Sequence, residues 1–274
     1  KLNDLIDETK LELLINKFET LELSSIPNIE LLNIKVRNLS PIVNNERINK
    51  FNYKEDNIKL LLDKEANHQN IMDSFYELVN KTFVNDSVII YFAGHGLTYQ
   101  TINKDKGFLV PCDGTEANMN TLISWDTLIN QSELIKAKHI FFIMDACYSG
   151  LALMRGNPSK RFLKDMIRRQ SRQVLTAGKS DQKVKDSGAQ TNNSIFTGFL
   201  LEALNGGAKT EQGVLCASSV MNYVYNKVSN APNSTQTPGY GTLLGEGDFI
   251  FNYDEIFSEI RKSFNASCSS SSCS

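Results

Sequence analysis

Two side chains in this sequence have the types and settings to break an amide bond. Cys147 stands in Asp145-Ala146-Cys147-Tyr148-Ser149-Gly150, and His95 in Ala93-Gly94-His95-Gly96. A thiol is a weak nucleophile until it loses its proton, and a nearby imidazole can take that proton or stabilise the thiolate. The two residues stand 52 positions apart, at 95 and 147, so only the fold can join them. Glycines on both sides of His95 allow a sharp turn and a close approach by substrate. Backbone N–H groups of Gly96 and Cys147 are the candidate oxyanion donors, a contribution often worth several kcal/mol in acyl transfer. Taken singly, a cysteine after an apolar strand reads as a small buried residue and a histidine as a structural one. Their joint placement gives the pair its weight.

Both residues directly follow strong strand signals. Asp86–Phe92 (DSVIIYF) and His139–Asp145 (HIFFIMD) are short apolar runs rich in β-branched and aromatic residues. Ile58–Leu62 and Arg172–Thr176 read as further strands, with shorter extended pieces at Leu11–Lys17, Phe108–Pro111 and Asp248–Asn252. From Ala66 an amphipathic helix is predicted through Ile71, Phe75, Leu78 and Phe83. Further helices are expected over Leu122–Ile135, with Trp125 as core or helix-start anchor, and over Ser194–Leu204 and Ala217–Val228. Asn33–Ile48 has helix-like spacing despite Pro41. Strands alternating with helices predict a parallel α/β sheet covered on both faces. In such sheets the sites form beyond the carboxyl ends of the strands. If the two strong strands are adjacent and parallel, His95 and Cys147 share one edge.

The chain has 274 residues, 41% hydrophobic and 22% charged, with a formal net charge of -2. This is the make-up of an ordinary globular protein, large enough to bury a core without metals or disulfides. The charge gives no pull toward nucleic acid. No apolar run approaches the ~18 residues of a membrane span. Five spread cysteines without a CxxC pair do not read as a disulfide framework or a zinc site, and a cytoplasmic setting is expected. The chain starts at Lys1 rather than Met, as a fragment or processed form would.

The sequence around His95 (IIYFAGHG) and Cys147 (IFFIMDACYSG) closely resembles the caspase/metacaspase family of cysteine peptidases, in its bacterial branch. The similarity continues through RQVLTAG at 172–178, FTGFLLEALNGG at 196–207 and QTPGYGTLLGEGDFIF at 236–251, with LLINKFE at 13–19 in the place of the first strand. The Cys–His separation also matches the caspase spacing. The resemblance implies the caspase–hemoglobinase fold, a mostly parallel six-stranded sheet flanked by helices. It implies a Cys/His dyad without metal in the chemical step, with Cys147 as nucleophile and His95 as acid/base. Animal caspases carry QAC at the nucleophile and cut after Asp. Asp145-Ala146-Cys147 resembles the metacaspase pattern, in which the acid lines the primary specificity pocket and selects Arg or Lys. A carboxylate in a pocket does demand a cation. Asp181 stands where these families often carry a second pocket acid.

One domain is expected over 1–255: a large segment to about 155, a basic linker 155–172 and a small segment 172–255. A C-terminal helix or low-complexity tail follows over 256–274. The linker holds seven basic residues. For an enzyme that prefers Arg or Lys this suggests self-cleavage, with Arg161, Lys164, Arg168 and Arg169 as candidate points. Calcium, which activates some metacaspases, has candidate ligands in Asp105, Asp113, Asp126 and Asp181, without EF-hand spacing; no other cofactor is expected. The implied partners are protein substrates and a regulatory protein, and prokaryotic relatives are linked to stress or defence. The alternative is a catalytically silent caspase-like binding module.

Overall fold

The computed structural model describes residues 29–35, 55–102, 105–147, 168–178, 194–210, 213–232 and 234–251. Its centre is a six-stranded sheet. In chain order the strands are β1 (Ile29–Lys35), β2 (Ile58–Leu62), β3 (Ser87–Ala93), β7 (His139–Cys147), β8 (Ser171–Gly178) and β9 (Gly239–Gly245); in space the order is β2-β1-β3-β7-β8-β9. All neighbours pair parallel except β8 and β9, which pair antiparallel. The fold is thus the mostly parallel, helix-flanked sheet that the resemblance implied. A small antiparallel sheet, β4 (His95–Tyr99), β5 (Lys106–Val110) and β6 (Ile123–Ser124), branches from the end of β3.

The pattern of apolar residues explains the layering. β3 is buried along its whole length, as a central parallel strand must be. Its alternate residues feed two cores. Val88, Ile90 and Phe92 pack with Phe142 and Met144 of β7 beneath helices α1 (His68–Lys81) and α2 (Trp125–Leu134). Ile89, Tyr91 and Ala93 pack with Phe141 and Ile143 beneath α3 (Ile195–Glu202) and α4 (Ala217–Ser229). Each fully buried side chain of this size contributes roughly 1.5–3 kcal/mol by leaving water. On α1, Ile71, Ser74, Phe75 and Leu78 face the sheet, and Asn67 caps the helix by accepting from the Asn70 N–H at 2.9 Å. Trp125 anchors the start of α2, edge-on to Phe142 at 5.3 Å.

Three sequence expectations are corrected. Asn33–Lys35 belongs to strand β1, not to a helix; pairing with β2 on one side and β3 on the other holds it extended. The Leu11–Lys17 strand lies outside the described residues. The closing strand is Gly239–Gly245; around 248–251 only Ile250 makes an isolated bridge, to Cys216. Phe83 lies past the end of α1 and is 70% exposed.

Candidate active site

The register of two strands builds the site. β3 and β7 are parallel neighbours with Ala93 opposite Asp145, and the Gly94 N–H donates to the Asp145 carbonyl at 3.3 Å. Neighbouring strands run about 4.8 Å apart. His95 and Cys147, each two residues beyond that pair, therefore leave the same sheet edge from adjacent strands.

Local structure sharpens the placement. His95 opens strand β4 instead of sitting within a turn, paired with Val110 of β5. It is exposed. Neither Gly94 nor Gly96 takes a left-handed conformation, so the path of the chain here does not draw on the conformational freedom of glycine. Leu109 and Ile123 of the small sheet are buried in the core under α1 and α2, which fixes the strand carrying His95. On the other side, Met144 pairs with Thr176 but Cys147 with Gly178: three steps on β7 against two on β8. This bulge shifts the end of β7 relative to β8. Bulges are over-represented beside active sites, where they re-aim a side chain.

Asp145 lies two residues before Cys147 and is 3% exposed. Its Oδ2 accepts from the Ser194 hydroxyl at 2.5 Å and from the Thr197 hydroxyl at 2.6 Å. Ser194 is also the N-cap of α3, accepting from the Thr197 N–H at 3.0 Å. The helix amino terminus thus faces the carboxylate, a favourable dipole arrangement. Tyr91 hydrogen-bonds Thr197 Oγ1 at 3.0 Å. Burial first, and the Asp145 charge second, push the Tyr91 phenol well above its ordinary pKa. Sequence reading missed Ser194, Thr197 and Tyr91. The Ser-x-x-Thr start of α3 signals a helix cap, but nothing local names its partner 49 residues upstream.

A family model, "Metacaspase, peptidase C14 domain", matches residues 36–155, which include His95, Asp145 and Cys147. The resemblance to the metacaspases holds. It supports a caspase-like cysteine peptidase domain. No curated protein matches the chain. Among solved structures, protein GSU0716 from Geobacter sulfurreducens is similar at a TM-score of 0.53 and 16% identity, covering 79% of this chain and 93% of that one. At that identity the likeness concerns the fold alone.

The other histidines of this chain are placed differently. His139 is buried at the amino end of β7, its Nε2 hydrogen-bonded to the Arg169 carbonyl at 2.9 Å. His68 begins α1 beyond edge strand β2, and its N–H donates to Asp113. Two further thiols are ill suited to attack. Burial, reinforced by Asp248, pushes the Cys216 thiol up to about 11. Cys112 is also raised, by burial and then by Asp113, and its thiol donates to the Lys64 carbonyl. At pH 7 iodoacetamide is expected to leave Cys216 intact and to label Cys112 slowly. Cys112 labelling should rise toward pH 9 as thiolate forms. Peptide mass mapping reads both sites, and rapid labelling of Cys216 in folded protein at pH 7 would contradict its placement.

Asp181, Arg161 and Lys164 lie outside the described residues. Arg168 and Arg169 are exposed but precede β8, at the sheet edge opposite the end of β7. The length of β8 separates them from Cys147 by roughly 25 Å. Arg169 also forms an ion pair with Glu246, and the next carbonyl, of Gln170, accepts from the Gly247 N–H at 3.0 Å. Gly245 permits this close approach: at φ +82° a Cβ there would stand 2.0 Å from the Gln170 oxygen. Arg172, counted with the exposed basic linker, is instead 1% exposed inside β8.

Among the described residues no three His, Cys, Asp or Glu side chains gather as a metal set. Of the calcium candidates, Asp126 pairs with Lys106 and Asp113 binds the start of α1. No helix among the described residues is long and apolar enough to cross a membrane. A groove of about 660 Å³ along α4, lined by Lys209, Tyr223 and Lys227, shares no residue with the β3–β7 edge.

Proposed function

We propose that this protein is a cysteine endopeptidase that cleaves after Arg or Lys, with Cys147 as nucleophile and His95 as proton carrier. The observation that supports it most is the parallel register of β3 and β7, which sends both residues from one sheet edge inside the segment similar to metacaspases. In the first step His95 takes the thiol proton of Cys147, becoming an imidazolium, and the sulfur attacks the scissile carbonyl carbon. The carbonyl oxygen takes the negative charge, facing the N–H groups of Gly96 and Cys147. As the C–N bond breaks, the imidazolium of His95 gives its proton to the leaving amine. Water, deprotonated by His95, then attacks the thioester. The new peptide acid leaves and the thiol is restored. Asp145, with Asp181, supplies the negative charge that selects a cationic side chain before the scissile bond.

Self-cleavage in the basic linker is part of the same reading. The distance of Arg168 and Arg169 from the end of β7, and the bonds on Arg169, favour cutting there only by a second molecule. The test uses paired fluorogenic peptides ending in Arg, Lys or Asp, with intact-mass analysis of the same preparations. Cleavage after Arg and Lys, with less than about a hundredth of that rate after Asp, is expected from an acidic pocket. Any fragments ending at Arg168 or Arg169 should form at a rate that rises with protein concentration. Cleavage after Asp would keep the peptidase and overturn the pocket; a protein inert toward all three peptides, with calcium and candidate partners added as well as without, would favour the binding module.

A further inference from the structure

An apolar patch lies at the amino edge of the sheet, the edge away from Cys147. Phe83 and Val84, between α1 and β3, are 70% and 61% exposed, and Leu134, the last residue of α2, is 60% exposed. The turn after α1 is fixed: the Phe83 N–H donates to the Asp86 carboxylate at 2.7 Å, and the Asp86 N–H to the Phe83 carbonyl at 3.0 Å. The Lys138 N–H donates to the Val84 carbonyl at 3.2 Å, which brings the chain leaving α2 against this turn. Large apolar side chains held together in water by rigid backbone mark a contact surface. Its rim is cationic. Lys136 and Arg168 are exposed and Lys138 is half-buried, and none of the three makes an ion pair among the described residues. Burial first, and then the Arg168 charge, lower the Lys138 pKa, so these cations repel one another. Of the acids at this edge, Asp86 is bonded to Phe83 and Glu246 pairs with Arg169.

Such a surface fits a partner that is both apolar and acidic, and residues 1–28 of this chain have that chemistry. They hold six acids against three lysines, a net charge of -3, with Leu11, Leu14, Ile15, Phe18 and Leu21 among them. They also enter the fold at the right place. Ile29 opens β1 opposite Ser87, three residues past Val84. Val84 is therefore within about 16 Å of Ile29, a span of some five extended residues. We propose that residues 11–22 dock on Phe83, Val84 and Leu134 and set Glu12, Glu19 and Glu22 against Lys136, Lys138 and Arg168, strapping the amino edge of the sheet. Tethering makes the contact intramolecular. A short flexible link gives an effective concentration in the millimolar range, so a patch too small to hold a free partner suffices. A second copy fits worse. A stable interface takes about 800 Å² from each partner, and a two-fold pair would bring the cations of both copies to the same place.

The experiment is hydrogen exchange of the full chain at pH 7 and low salt, read by peptide mass. Backbone amides of residues 11–22 are expected to exchange at least about tenfold more slowly in the parent than in Phe83→Ser/Leu134→Ser. Both substituted positions are exposed, so the amides of β3 and β7 should keep their protection. Lys136→Glu with Arg168→Glu, or about 0.5 M NaCl added to the parent, is expected to speed exchange of residues 11–22 about threefold. A water-soluble carbodiimide, which joins touching amines and carboxylates directly, should link Lys136 to Glu12, Glu19 or Glu22 within one chain. The charge variant and this link decide the matter if the Phe83/Leu134 variant does not fold. Equal exchange of residues 11–22 in the parent and both variants, or no protection of them in the parent, would overturn the proposal. So would protection that falls on dilution with links found only between chains, since the occupant would then be a second copy.

Discussion

Replacing Cys147 by alanine is expected to reduce cleavage of Arg and Lys peptides by at least about a thousandfold, because alanine offers no atom to form the thioester. Replacing His95 by alanine should have an effect of similar order, since the thiol then has no partner to take or return its proton. The informative variant is the double one. Residues that act as a unit lose nearly everything with the first substitution, so the double variant should be no slower than the worse single one, within about threefold. Independent roles would instead multiply the losses. Stability separates this from a folding defect. His95 is exposed at the first position of β4, and truncation at exposed positions changes stability by about 0.5 kcal/mol or less. Activity measured beside thermal unfolding therefore decides the matter: an inactive His95→Ala protein that melts with the parent supports the dyad. A His95→Ala enzyme retaining a tenth of the parent rate would remove His95 from the chemistry.

The strands that carry the pair were legible because they are central. β3 and β7 are buried on both faces, so their sequences are unbroken apolar runs with no solvent-facing residues to blur them. Adjacency and parallel direction were conditional on the fold, and the observed register supplies them. β9 was less legible. Its sequence Gly-Tyr-Gly-Thr-Leu-Leu-Gly reads as a loop on local preference, and pairing with β8 overrides that preference. Likewise, His95-Gly96 looked like a turn because glycines flank it, while its extended form is set by Leu109 and Val110 of β5 across the small sheet. The hydroxyls on Asp145 come from residues 49 and 52 positions away, joined only when α3 docks against the sheet. Side-chain partners of this kind have no periodicity to betray them.

Arg172 shows the same limit for charge, and its replacement carries the largest expected effect on stability. In the sequence it continues a basic run, and such runs read as solvated. In the fold it enters β8, and its guanidinium turns inward to donate to the carbonyls of Ile135 at 3.1 Å and of Lys138 at 3.0 Å. Ile135 is the C-cap of α2, whose last carbonyls lack helical partners and carry the negative end of the dipole. A buried cation there satisfies both needs. Burial lowers its pKa to about 10, opposed by the Glu133 charge, so the group stays protonated at pH 7. Arg172→Met keeps most of the apolar stem and removes the donors, which isolates the polar contribution. The loss of charge-assisted bonds to buried carbonyls is expected to cost about 3 kcal/mol or more. In a domain of this size that lowers the melting temperature by roughly 6–12 °C. Arg172→Lys should recover less than half, since one ammonium cannot reach both carbonyls in the geometry of the planar fork. Thermal unfolding of the three proteins at pH 7 reads the order Arg, Lys, Met. A Met variant within a degree of the parent would mean that the carbonyls of Ile135 and Lys138 find other donors, and that α2 is held by its apolar face against the core.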